Sequence, residues 1–197
     1  MRYDAEHKQR TRERVLQEAA KAIRAEGPYN VGVAEVMSKA GLTHGGFYAH
    51  FASKDEFVGE AIGQMFKESR GRLERMIQEA TAPAEALGAY IDFYLSPGHR
   101  DTRTSGCPLP FLSADAPRLP EGSRERYAQG VRRLTGAITE LLSQMGRPEP
   151  HEIAGSAVAE MVGALALARA ETDDALSDAM LERSRRAVKR RLGLSAA

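Results

Sequence analysis

Apolar residues recur at helical spacing along almost the whole 197-residue chain, and nowhere do they alternate with period two for long enough to make a strand. That periodicity restricts the fold to the all-α class, with about nine helices. Val15, Leu16, Ala19, Ala22 and Ile23 form the first stripe, with Thr11 placed to cap it and Gly27-Pro28 to end it. Val33, Val36, Met37 and Ala40 form a second, short stripe that stops at Gly41. Thr43 then stands where it can cap a third short helix carrying Phe47 and Tyr48 and ending near Phe51. Ser53-Lys54-Asp55-Glu56 has the form of a capping box and opens a helix that runs to about residue 79. Thr81-Ala82-Pro83 opens the next, with Leu87, Tyr90, Ile91 and Tyr94 on its apolar side. Five of the nine prolines crowd into residues 96–122, which reads as irregular with one short helix near 109–116. Three more helices are expected at about 122–146, 151–171 and 174–192.

The 42% hydrophobic content supplies a globular core. No basic start followed by an apolar run marks a leader, and no 18 successive residues are apolar, so a cytoplasmic protein without membrane contact is expected. Cys107 stands alone, so no internal disulfide can form. The net charge of +1 says little, but its distribution says more. Residues 1–54 hold nine Lys/Arg against six Asp/Glu, whereas the remainder holds 19 against 21. A basic head on a slightly acidic body suits a nucleic-acid-binding front end.

Two short helices joined through Gly41-Leu42, behind a longer bracing helix, have the pattern of a helix-turn-helix. The second of them, Thr43-His-Gly-Gly-Phe-Tyr-Ala-His50, contains adjacent glycines that cost about 1 kcal/mol each in a helix relative to Ala. Close approach to base edges compensates, because Gly45 and Gly46 present no side chain to collide with DNA. Thr43 and His44 supply short polar groups at the groove-facing end, while Tyr48, His50 and Lys54 are placed to donate to phosphates. Phe47 and Phe51 read as apolar anchors.

The stretch from Val33 to Phe57, with Ala40-Gly-Leu-Thr-His-Gly-Gly-Phe-Tyr-Ala-His-Phe51 at its centre, resembles the DNA-binding domain of the TetR family of ligand-responsive repressors, over about residues 11–60. The resemblance implies three DNA-binding helices in residues 1–53, then a roughly six-helix ligand-binding and dimerisation domain in 54–197. It assigns base or groove contacts to Thr43, His44, Gly45, Gly46 and Tyr48, and phosphate contacts to Tyr48, His50 and Lys54. This sequence departs from the family pattern at Val31, where Thr usually caps the second helix, at Met37, where Ala is usual, and at Gly46. Asn30 is the substitute cap on offer.

The partners implied are a double-stranded palindromic operator, a second copy of the chain and a small inducer; no cofactor is called for. Homodimerisation is assigned to the two last helices, through Ile153, Ala157, Met161, Leu165, Leu176 and Met180. The inducer is expected among Phe66, Tyr90, Phe93, Tyr94, Cys107, Phe111 and Tyr127, a lining that favours apolar or aromatic molecules. Cys107 is either a small core residue or a thiol that senses electrophiles. His99, Asp101 and Cys107 match no zinc spacing, so no metal is expected. Two other functions fit an all-helical chain. A protein-interaction adaptor would bind no DNA, and an enzyme would need a phosphate loop, nucleophile motif or carboxylate pair that this sequence does not display.

Overall fold

A computed structural model describes residues 2–194, with side chains from residue 6. All regular structure among these residues is helical. The helices are α1 (Arg2–Glu26), α2 (Val33–Lys39), a 3-10 helix (His44–Ala49), α3 (Lys54–Glu79), α4 (Pro83–Tyr94), α5 (Pro97–Asp101), α6 (Leu109–Leu112), a second 3-10 turn (Ala116–Arg118), α7 (Glu121–Gln144), α8 (Pro150–Ala170) and α9 (Asp174–Arg191). Packing divides the chain into two units, residues 1–68 with 103–129 and residues 69–102 with 130–197.

In the first unit, α1 begins at Arg2, so Thr11 is not its cap but a buried residue in mid-helix. The charged first turns lack an apolar stripe, yet Glu, Lys, Gln and Arg are good helix formers and carry the helix outward. The α2 turn follows the expected chemistry. Gly41 takes φ +73°, and the amides of Gly41 and Leu42 bond the carbonyls of Ser38 and Met37, both at 2.9 Å, closing the helix in a Schellman motif. At the other end of α2 the capping residue is Gly32, with no side-chain cap. Asn30 does not replace the missing threonine: its amide donates to the Glu26 carbonyl at 2.9 Å and so finishes α1 instead. Val31 is buried.

The segment expected as a short α-helix is a 3-10 helix. Gly46 and His50 donate three residues back, to Thr43 and Phe47, and Phe51 makes an α-type bond, to Phe47 at 3.0 Å. Thr43 occupies the cap position in extended conformation, but its hydroxyl caps nothing. At α3 the Ser53 half of the capping box forms, and the Glu56 side chain reaches one residue further back than the cap. Ser53 Oγ accepts from the Glu56 amide at 3.1 Å, and the Glu56 carboxylate takes the Ala52 amide at 2.6 Å. Phe47, Phe51 and Phe57 meet with ring centroids 5.0–5.4 Å apart, and Val15, Ala19, Ile23, Met37 and Ile62 complete this core. Buried Arg24 ties α1 to Glu68 at 2.8 Å and donates to the Thr104 carbonyl at 3.4 Å.

The second unit is built on α4, α8 and α9, with Leu87, Tyr90, Ile91, Leu165, Leu181 and Val188 inside. Its start and stop signals are local. Ser96 caps α5, a short helix the proline-rich stretch had hidden, and Asp173 caps α9 by accepting from the Leu176 amide at 3.0 Å. Helix α8 is long and apolar enough to cross a membrane by length and composition alone, a test that core helices also pass. Its Glu160 pairs with Arg191 at 2.6 Å.

Candidate nucleic-acid interface

The residues from Thr43 to His50 stand contiguous on the 3-10 helix, held from behind by the Phe47–Phe51–Phe57 cluster. With Phe47 turned into the core, Thr43, His44, Gly45 and Tyr48 are left exposed, Tyr48 to 74%, an unusual figure for so large a ring. Gly46 and His50 are half-buried. Neither glycine has positive φ. A Cβ on Gly45 would meet nothing within 4 Å, and one on Gly46 would touch only Met37 Cε at an ordinary 3.7 Å. Nothing inside the chain therefore requires glycine at position 45.

Lys54 opens α3, exposed, and donates to the Tyr29 carbonyl at 3.3 Å. His50 carries its ring at the far end of the 3-10 helix. Burial foremost, then the charges of Lys8 and Arg12, pull its pKa below the ordinary histidine value, and its Nδ1 is buried with no hydrogen-bond partner among the described residues.

One positioning residue was invisible in the sequence. Arg12, on α1, makes a two-toothed pair with Glu60 of α3 (Nη2–Oε1 2.6 Å), lies over the Phe51 ring at 4.6 Å and donates through Nε to the His50 carbonyl at 3.3 Å. Its guanidinium holds the Glu60 carboxyl below the usual carboxylate range. The clamp fixes the C-terminal end of the 3-10 helix to both flanking α-helices. Its partners lie 38 and 48 residues away, and Arg12 sits among other charged residues on α1, so no local pattern could have singled it out.

The expected inducer residues fall in both units. In the first, Phe66 and Tyr127 meet edge to face at 6.0 Å, Tyr127 shares a hydrogen bond with Ser113 at 3.0 Å, Phe111 packs on the same core and Cys107 is 3% exposed. A small open cleft of about 150 Å³ in this unit is lined instead by Asp55, Glu56, Gly59, Ser123 and Arg126, with Pro120 and Gly122. In the second unit, Tyr90 and Tyr94 are buried with centroids 5.8 Å apart, and Phe93 lies between the Arg72 guanidinium and the His99 ring, which stacks on it at 4.7 Å. His99 Nδ1 donates to the Tyr94 carbonyl at 2.9 Å, and Asp101 receives Arg100.

The residues expected at a dimer interface are distributed unevenly. Ala157, Met161 and Leu165 lie on the stripe of α8 that is buried within its own unit, at 0–1% exposure. Ile153 and Met180 are half-buried and Leu176 is exposed. Leu167, on the opposite side of α8 from that stripe, is 64% exposed. Because α8 is apolar on almost every side, its sequence could not say which stripe turns inward.

Residues 15–61 match the family described as bacterial regulatory proteins, tetR family. The HTH-type transcriptional regulator LmrA of Bacillus subtilis is 24% identical over 140 residues, covering 71% of this chain and 74% of LmrA. The HTH-type regulator Rv0196 of Mycobacterium tuberculosis is 29% identical over 172 residues, covering 82% and 86%. Reduced NemR of E. coli superposes with a TM-score of 0.80 at 24% identity, over 91% of this chain and 95% of that one, which makes the likeness one of fold. With a helix-turn-helix closed at Gly41, an exposed tip beyond it, a tetR-family domain over residues 15–61 and HTH-type regulators as relatives along most of its length, the chain is a DNA-binding transcriptional regulator.

Proposed function

We propose that this regulator is a homodimeric cytoplasmic repressor, without enzymatic turnover, that leaves a palindromic operator when a small apolar or aromatic molecule binds its helical body. Thr43, His44, Gly45, Gly46 and Tyr48 face the major groove, and Tyr48, His50 and Lys54 hold phosphates. The observation that carries this reading is Gly45: an exposed glycine with ordinary φ and open space around it, which its own chain does not need. A backbone left bare at an exposed tip is what a groove floor pressed against the helix would accommodate.

Two copies are needed because one short element reads few bases, and joining two multiplies affinity without a new contact. The exposed Leu167 and Leu176 offer the apolar area for that pairing, with Ile153 and Met180 at its margin. Inducer contacts fall to the aromatic residues of the helical body, Phe66, Phe111 and Tyr127 in one unit and Tyr90, Phe93 and Tyr94 in the other, and Cys107 is buried beside the first set. The ligand acts by favouring a dimer whose two reading elements no longer match successive grooves.

Selection of genomic fragments on purified, ligand-free protein tests the proposal. The expected result is a duplex with a two-fold symmetric footprint, whose log K falls against log salt with a slope of about −5 for roughly six neutralised phosphates. No duplex retained at low ionic strength, or binding indifferent to salt, overturns it.

A further inference from the structure

Lys8 and Arg12 are one turn apart on α1 and so share a face. Arg12 reaches the His50 carbonyl at 3.3 Å, which sets that face against the C-terminal end of the 3-10 helix. The two cations are in opposite states. Arg12 is neutralised by Glu60, with Glu56 at 3.9 Å, whereas Lys8 is exposed and has no ion pair or hydrogen bond among the described residues. Its charge is nonetheless close enough to act on the His50 ring, whose Nδ1 also lacks a partner among the described residues. Among the described residues this edge therefore holds positive charge with no counter-charge on Lys8, beside a half-buried imidazole and within one short element of the exposed Tyr48. Lys8 also lies outside residues 15–61, the span matched by the family, so its role is not carried over with that match.

We propose that Lys8, with His50, grips a backbone phosphate of the bound duplex, extending the DNA interface from the 3-10 helix onto the first turns of α1. The inference rests on the reading that the 3-10 helix enters the groove. The phosphate supplies the missing counter-charge, and Lys8 contributes as a point charge on a flexible stem, indifferent to base sequence.

Lys8→Gln and Lys8→Arg test it on one operator duplex and one unrelated duplex, titrated across a salt series. For Lys8→Gln the slope of log K against log salt becomes shallower by about 0.9, so the deficit relative to wild type shrinks about threefold between 50 and 200 mM salt. The ratio of operator to unrelated affinity stays unchanged, because a phosphate contact carries no sequence information. Lys8→Arg keeps the wild-type slope. Thermal midpoints of both variants equal that of wild type, since the side chain is exposed and both replacements are good helix formers. If wild type binds with a steep slope and Lys8→Gln reproduces it, this inference falls and the reading of the 3-10 helix stands. If wild type binds no duplex, both fall.

Discussion

Two side chains show how single residues set stability here. Arg12 is three-quarters covered and pairs with Glu60 across α1 and α3, so Arg12→Ala strands a carboxylate whose side chain is 17% exposed. Loss of a charge-assisted pair in that setting costs about 2 kcal/mol, read as a lower urea midpoint, and a double-mutant cycle with Glu60→Gln recovers part of it. Were the cycle to show no coupling, the clamp would be a crowding of charges and nothing more. His99 gives a pH effect of definite sign. Burial first, with Arg169 and Arg72 assisting, lowers its pKa to about 4, against the pull of its bond to the Tyr94 carbonyl. Above pH 6.5 the ring is neutral folded or unfolded, and the stability is intact. As pH falls from 6.5 towards 4, the unfolded chain takes up a proton that the folded one refuses, so stability drops by up to about 3 kcal/mol. Urea midpoints at pH 7 and pH 4.5 measure this, and His99→Gln flattens the difference. The depressed carboxylates of Glu60 and Asp101 act in the same direction, but only at lower pH.

At the scale of elements, what the sequence made legible were features fixed by neighbours in the chain. The Gly41 turn, the Ser53 cap and the Pro83 start are decided by bonds spanning five residues or fewer, and each could be placed from its own segment. The 3-10 helix could not, because α and 3-10 forms of His44–Ala49 share end points and apolar faces and differ only in which carbonyl each amide chooses. Nor could the start of α1, where propensity acts without an apolar stripe to mark it. The same element carries the most discriminating substitution. At Gly45 an added methyl meets nothing within 4 Å and φ is ordinary, so Gly45→Ala leaves the thermal midpoint unchanged or raises it, by up to about 1 kcal/mol of stability. If this face is pressed into a groove, the same methyl has no room there, and operator affinity falls at least tenfold. An alanine variant that binds as well as wild type would remove the reason given for the glycine.

On the proposed reading the whole molecule presents two reading elements at once, and the inward and outward stripes of α8 would then separate folding from assembly. Ala157, Met161 and Leu165 are taken up by the unit's own core, which pattern alone could not reveal on a helix apolar all round. Leu167, near the end of α8, and Leu176, in the first turn of α9, flank the same turn and are 64% and 55% exposed, a pair of large apolar side chains that a lone subunit leaves in water. A glutamate in place of Leu167 therefore costs the subunit little, but in a dimer it buries two unpaired charges, one from each copy. Leu167→Glu is expected to sediment as a monomer with the helical circular dichroism of wild type, and to lose roughly 100-fold in operator affinity as the second reading element is no longer delivered with the first. Ala157→Glu, by contrast, puts the charge into the core and lowers the thermal midpoint. The two outcomes cannot be exchanged: a Leu167→Glu protein that remains dimeric and keeps its operator affinity would move the assembly surface off this face of α8, whatever Ala157→Glu does.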